Sequence, residues 1–308
     1  MTFEGRRPQT ELAALRFLSE DLGLSLTPRV ITADLSAGLL VLEDLAPRVP
    51  LDQLICRDGV EAHRERLAAF ARVLGELGAA TAGHEAKYRE RYGLLDDSDR
   101  FAALWARAHQ DAAAIGVPIA GPAASELAAA LDELRTPGPF LTLGNGDAES
   151  NNCLVYESGP ADARLIDFEA ACYGHALLDA VCLYVPGPRW LSVGDPVAAG
   201  LADEYRRALA RGVPEAQDDR RYGFALAAAC ASWALLRLQR FGLLDERVPG
   251  DHSRLQLVET VESAARTAMA HDAVPALAGW LRQVADTLRR RWPDADVDLS
   301  DRAYAPRR

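Results

Sequence analysis

Asp147 is followed five residues later by Asn152, and Asp167 ends the next extended segment with Glu169 two positions beyond. These residue types at this spacing suit phosphoryl transfer to a hydroxyl group. That reaction asks for positioning, for a carboxylate beside the acceptor oxygen, and for hard oxygen ligands that hold Mg²⁺ against the donor phosphates. One loop can present Asp147 as the base and Asn152 as a neutral amide ligand, while Asp167 adds an anionic ligand. A polar turn feeding a hairpin would account for any one of these pieces, but three in register favour the chemistry.

The stretch Leu143-Gly144-Asn145-Gly146-Asp147-Ala148-Glu149-Ser150-Asn151-Asn152, with Leu165-Ile166-Asp167-Phe168-Glu169 after it, resembles two motifs of the aminoglycoside phosphotransferase and choline kinase families. These are the H-G-D-x-x-x-x-N catalytic loop and the D-x-E metal motif. The resemblance implies ATP and Mg²⁺ as cofactors, with Asp147 orienting or deprotonating the acceptor hydroxyl. It gives Asn152 and Asp167 as metal ligands and Glu169 as a supporting or substrate contact. Asp179 looks like the structural acid after the metal motif. Further upstream, Glu11 matches the acid that pairs with a phosphate-binding lysine. Val41-Leu42-Glu43-Asp44-Leu45 looks like the hinge whose backbone receives adenine, which makes Glu43, Asp44 and Leu45 nucleotide contacts. Glu11 also has a plainer reading as a helix-start carboxylate favoured by the dipole.

Two departures from the family pattern carry expectations. Position 145 is Asn where the family has His, and Asn145 is expected to weaken the bracing of the loop without removing the base. Only nine residues precede the first candidate helix, too few for a nucleotide-covering hairpin and a lysine-bearing strand, and the one lysine, Lys87, lies after the hinge. Weaker nucleotide binding or slower transfer is expected in consequence. A start placed too late, a kinase-like binding or regulatory protein without catalysis, and another phosphate-binding device all remain open readings.

The elements that must position these residues are legible from periodicity. Thr10 can cap a first helix carrying Leu12, Leu15, Leu18 and Leu22, with Gly23 as its stop. Two extended segments, Arg29 to Ala33 and Leu39 to Glu43, flank turn residues. Pro47 and Pro50 mark a connector, after which helices dominate, the clearest bearing Leu67, Phe70, Val73, Leu74 and Leu77 on one face. Helices are expected over Phe101 to Ile115 and Ala123 to Arg135, and strands over Leu141 to Leu143, Cys153 to Tyr156 and Arg164 to Asp167. From Ala176 the pattern is helical, ending in a stripe of Leu277, Trp280, Leu281, Val284 and Leu288. Arg289-Arg290-Arg291 reads as a solvated helix end that complements the dipole, and the tail beyond Trp292 as loose. The fold class implied is α+β and protein-kinase-like. A small N-terminal part (1–46: helix, two strands, hinge) precedes a large, mainly helical part (47–308) that carries the catalytic hairpin.

Composition narrows the function classes. With 308 residues, 49% hydrophobic and 26% charged, the chain can bury a real core. A net charge of -11 argues against a nucleic-acid binder; it reads first as solubility and second as attraction for a cationic substrate. Five cysteines without a C-x-x-C pair fit a reducing cytoplasm, and Met1 to Thr10 lacks a signal-peptide core. The uncharged run Tyr222 to Leu236 is shorter than the ~20 residues of a membrane span and reads as a buried helix. No Walker-type loop or G-x-G-x-x-G opens a helix, and the six histidines lack paired metal spacing. Trp105, Trp190, Trp233 and Trp280 could line a cation pocket, with core packing the commoner use. The reading is an ATP-dependent O-phosphotransferase acting on a small hydroxylated molecule.

Overall fold

The computed structural model describes residues 7–93, 100–186, 200–249 and 252–295; Trp190 and the tail from 296 onward lie outside them. Helix α1 (Arg7–Arg16) continues into one wide, π-type turn, Phe17–Asp21. Leu12, Leu15 and Leu18 are buried, as their spacing required. Thr10 does not cap the helix. Helix α1 already runs through it, because Pro8 sits in the first turn, where a missing N–H costs nothing. The hairpin β1 (Val30–Asp34) and β2 (Leu39–Leu42) follows, with Ala33 opposite Leu40. Asp34 Oδ1 accepts from the amides of Ser36 and Ala37 at 3.0 and 3.1 Å and so shapes its turn.

The segment between Pro47 and Pro50 is not merely a connector: Arg48–Pro50 forms strand β3. It stands at the edge of its sheet, where a proline without an N–H is tolerated. Helices α2 (Leu51–Asp58), α3 (Arg64–Thr81), α4 (Glu85–Tyr92), α5 (Arg100–Ile115) and α6 (Gly121–Arg135) come next. Four short strands then carry the site: β4 (Leu141–Gly144), β5 (Cys153–Tyr156), β6 (Ala163–Leu165) and β7 (Cys172–His175). The order β3-β5-β6 forms one antiparallel sheet, and β4 pairs with β7, Leu143 opposite Tyr173. Strand β7 was not expected, since Cys-Tyr-Gly-His shows no alternation of its own. The strand expected to reach Asp167 stops at Leu165, because Asp167 turns into the left-handed region at φ 62.

Helices α7 (Leu177–Ala180), α8 (Leu201–Leu209), α9 (Asp219–Leu238), α10 (Phe241–Asp245), α11 (His252–Ala270) and α12 (Pro275–Arg291) follow among the described residues. Asp218 caps α9, its Oδ1 accepting from the amides of Arg220 and Arg221 at 2.9 and 3.1 Å. Leu226, Ala227, Ala228, Cys230 and Ala231 are buried around the whole circumference of α9, which packs on α5, α6, α7 and α11. This buried helix is the uncharged run read in the sequence. Among the described residues no helix is long and apolar enough to cross a membrane. Helix α8 approaches α3 closely because position 75 is glycine: a Cβ there would stand 2.4 Å from the Tyr205 carbonyl oxygen. Arg289 is not a solvated helix end. It joins α12 to α11 through Glu259 at 2.8 Å and Glu262 at 2.7 Å, partners on another helix that spacing along α12 cannot reveal.

Candidate active site

Strand β4 delivers the chain into the loop 145–152. Asn145 is 1% exposed and makes four hydrogen bonds there. Its amide donates to Asp179 Oδ2 at 2.8 Å, and its Nδ2 donates to the carbonyls of Ile166 and Asp167 at 3.1 and 3.0 Å. Its Oδ1 accepts from the Asp147 amide at 3.1 Å. Asn145 therefore does brace the loop, because a carboxamide both donates and accepts and here does both. Gly146, at φ +83, lets the loop pass the Ala170 carbonyl oxygen, which a Cβ would meet at 2.1 Å. Asp147 then projects as an exposed carboxylate.

Asn152 is buried at the far end of the loop, and its Nδ2 donates to the Asp147 carbonyl at 2.9 Å and to Asp147 Oδ2 at 3.1 Å. The Asn151 Nδ2 donates to Asn152 Oδ1 at 2.7 Å. The Asn152 carbonyl accepts from the Ile166 amide at 3.0 Å, and so ties the loop to the metal motif. Asp167 is exposed at the end of this tie. Asp179 supports the arrangement from below: burial raises its carboxyl above the usual range, while the amides of Asn145 and Gly146 and then Arg100 pull it back.

Glu11 reaches the same place from the N-terminal helix, its Oε1 accepting from the Phe168 amide at 3.4 Å. Burial raises the Glu11 carboxyl; the Phe168 amide opposes this, and the charges of Asp167 and Glu169 add to it. The three carboxylates are thus electrostatic neighbours. Glu43, Asp44 and Leu45 make their contacts elsewhere. Glu43 Oε2 accepts from the Arg29 amide at 3.1 Å, Asp44 Oδ1 from the Ala46 amide at 2.9 Å, and the Leu45 carbonyl from the Arg48 amide at 3.1 Å. Lys87, the single lysine, donates to the Asp21 carbonyl at 3.0 Å and fastens α4 to the end of the π-type turn.

Asp147 also lines a cavity of about 740 Å³ enclosed by the loop, α5, α7 and α9. Its apolar walls include Phe101, Leu104, Leu178, Trp233 and Leu236. Glu149, buried and cavity-lining, is a site residue that reading the motif missed, because its burial depends on elements remote in sequence. Burial first, and the charge of Asp147 second, push its carboxyl up to about 8 against the pull of Arg237. Arg237, half-buried on α9, lies over the Trp233 ring with 5.4 Å between its Cζ and the centroid. Burial and Arg240 lower its pKa, while Glu149 and Asp147 oppose this. Of the other tryptophans, Trp280 belongs to the core, its indole donating to the Val117 carbonyl at 2.9 Å.

The donors gathered here suit a hard divalent cation. With its Nδ2 turned to Asp147, Asn152 has its amide oxygen as the ligating atom, and Asp167 adds an exposed carboxylate. A family model described as the phosphotransferase enzyme family matches residues 6–217. Among solved structures, choline kinase LicA from Streptococcus pneumoniae aligns at a TM-score of 0.44 and 14% identity, over 85% of this chain and 83% of that one. A Ralstonia eutropha protein provisionally assigned as an aminoglycoside phosphotransferase aligns at 0.46 and 15% identity, over 95% of this chain and 83% of that one. No curated protein matches.

Proposed function

Since the chain belongs to the phosphotransferase enzyme family, we propose that it moves the γ-phosphoryl group of ATP to a hydroxyl of a small molecule seated in the cavity beside Asp147. The observation that carries this reading is the position of Asp147. It lines the acceptor-sized cavity on one side and is bonded to Asn152 on the other. Asp147 takes the hydroxyl proton as the acceptor oxygen bonds to the γ-phosphorus; the bond to the β,γ-bridging oxygen breaks and ADP leaves. Asn152 and Asp167 would hold Mg²⁺, which when bound supplies neutralising charge for the phosphates.

Asn145 keeps the base and the metal motif in one register, which is the positioning that this chemistry needs. Glu11 stands next to the metal motif, and the Glu43–Leu45 stretch is the nucleotide-side hinge of the same reading. Calorimetric titration with ATP, with and without Mg²⁺, tests it. Binding that requires Mg²⁺ and disappears in Asp167→Ala supports the assignment, and turnover lost in Asp147→Asn identifies the base. Turnover unchanged in Asp147→Asn would overturn the mechanism.

A further inference from the structure

The cavity next to Asp147 holds several polar groups, most of which are already committed. Asp179 accepts from the Asn145 amide, and Arg107 pairs with Asp111 at 2.9 Å. His175 Nδ1 accepts from the Leu177 amide at 3.2 Å, and the Ser232 hydroxyl donates to the Ala229 carbonyl at 2.8 Å. Three charged or ionisable groups remain: Asp147, Glu149 and Arg100. Glu149 is buried; its backbone carbonyl accepts from the Asn152 amide at 2.9 Å, while its carboxylate makes no hydrogen bond among the described residues.

Arg100 forms no ion pair among the described residues. Its Nη1 lies 3.9 Å from Cys172 Sγ, and its Nη2 passes over Gly174, where a Cβ would come within 3.3 Å. Position 174 therefore leaves room for the guanidinium inside the cavity rim. The Arg100 charge reaches the buried Asp179 but forms no ion pair with it; a guanidinium so placed at the mouth of an apolar cavity is an anion site, and its fork matches the two oxygens of a carboxylate. A polycationic amino sugar would need several uncommitted carboxylates. Among the described lining residues, the uncommitted carboxylates it would meet are those of Asp147 and Glu149, with Arg100 repelling it.

Resting on the kinase reading above, we propose that the acceptor is an alcohol with an apolar body and one carboxylate. The body lies along Phe101, Leu104, Leu178, Trp233 and Leu236, the hydroxyl reaches Asp147, and the carboxylate pairs with Arg100. A volume of about 740 Å³ accommodates a molecule of ordinary ligand size. This favours an anionic acceptor over the cationic one that the overall charge suggests.

The test is direct binding in the absence of nucleotide, so that it does not depend on turnover. The 308-residue protein is titrated calorimetrically with 3-hydroxy acids of hexane to dodecane chain length, with their methyl esters, and with the matching 3-hydroxy amines. At least one acid is expected to bind more tightly than about 1 mM and more tightly than its ester or amine. Arg100→Gln should weaken the acid by about 10-fold or more and leave the ester unchanged, with Arg100→Lys intermediate. An ester or amine binding as tightly as the acid, acid binding indifferent to Arg100, or no acid binding at all would overturn the proposal. Mg·ATP is added last. Arg100-dependent binding without transfer would leave the ligand class standing and remove the kinase reading; transfer to the amines alone would do the reverse.

Discussion

The Asn145 side chain donates to the Asp167 carbonyl at 3.0 Å, so the loop that presents Asp147, the proposed base, and the turn that presents Asp167, the proposed metal ligand, share one hydrogen-bond donor. The same carboxamide accepts from the Asp147 amide at 3.1 Å. Asn145→Ala takes a partner from two carbonyls and one amide in a part-buried site, and is expected to cost about 2 kcal/mol of stability. Asn145→Asp, which keeps the shape but replaces the donor with a charge facing two carbonyls, should cost more. Denaturant unfolding of the two variants checks this; equal losses would show that the charge adds nothing to the loss of the donor, and no loss in either would show that the donor is unimportant.

Gly146 makes a second, independent prediction about the loop. Its φ of +83 and the 2.1 Å approach of the Ala170 carbonyl oxygen to any Cβ mean that Gly146→Ala must move backbone rather than a flexible side chain. A loss of about 3 kcal/mol is expected from strain and overpacking together. Gly59→Ala, also at positive φ but with open space around it, should cost less. Thermal unfolding of both proteins separates the contribution of the carbonyl clash from that of backbone conformation.

Arg289 faces Glu259 and Glu262 across the α11–α12 packing. Its hydrogen bonds to Glu262, foremost, hold the guanidinium more firmly protonated than usual, and Glu259, where burial dominates, has its carboxyl raised. Removing the cation leaves two acids of like charge side by side, with the more exposed Arg266, at 3.5 and 3.7 Å, as their remaining cation. Arg289→Met is expected to destabilise by about 3 kcal/mol, and adding Glu259→Gln should recover part of the loss. No recovery in the double variant would show that the cost is packing alone.

What the sequence revealed, and what it did not, follows from range. Asp147, Asn152 and Asp167 act through spacings within one loop and hairpin, and the leucines of α3 and α12 through a helical period; both are local patterns. Strand β3 exists only because β5 pairs with it, and β7 only because β4 does. Neither carries its own alternation. The partners of Arg289, the burial of Glu149 and the cavity itself depend on α5, α9 and α11 meeting, and no window of sequence contains those contacts. Position 145 was read as a departure from a family pattern, whereas its value lies in partners 21 and 22 residues away.

Glu149 gives the site a pH dependence. Its carboxyl is pushed up to about 8 by burial and then by Asp147, against an ordinary value of 4.5. Below pH 4.5 it is protonated in both folded and unfolded chains and has no effect on the balance. Between 4.5 and 8 the unfolded chain ionises while the folded one keeps the proton, so stability falls as pH rises; above 8 the penalty is constant. With each pKa unit worth about 1.4 kcal/mol, a rise from 4.5 to about 8 means that charging this carboxylate costs the folded protein about 5 kcal/mol. Glu149→Gln removes the titration, so the variant should match the parent near pH 4 and exceed it by up to about that amount at pH 8. Melting curves of both proteins across this range check the prediction. Parallel curves would show that Glu149 is already ionised in the folded state and that Arg237 neutralises it.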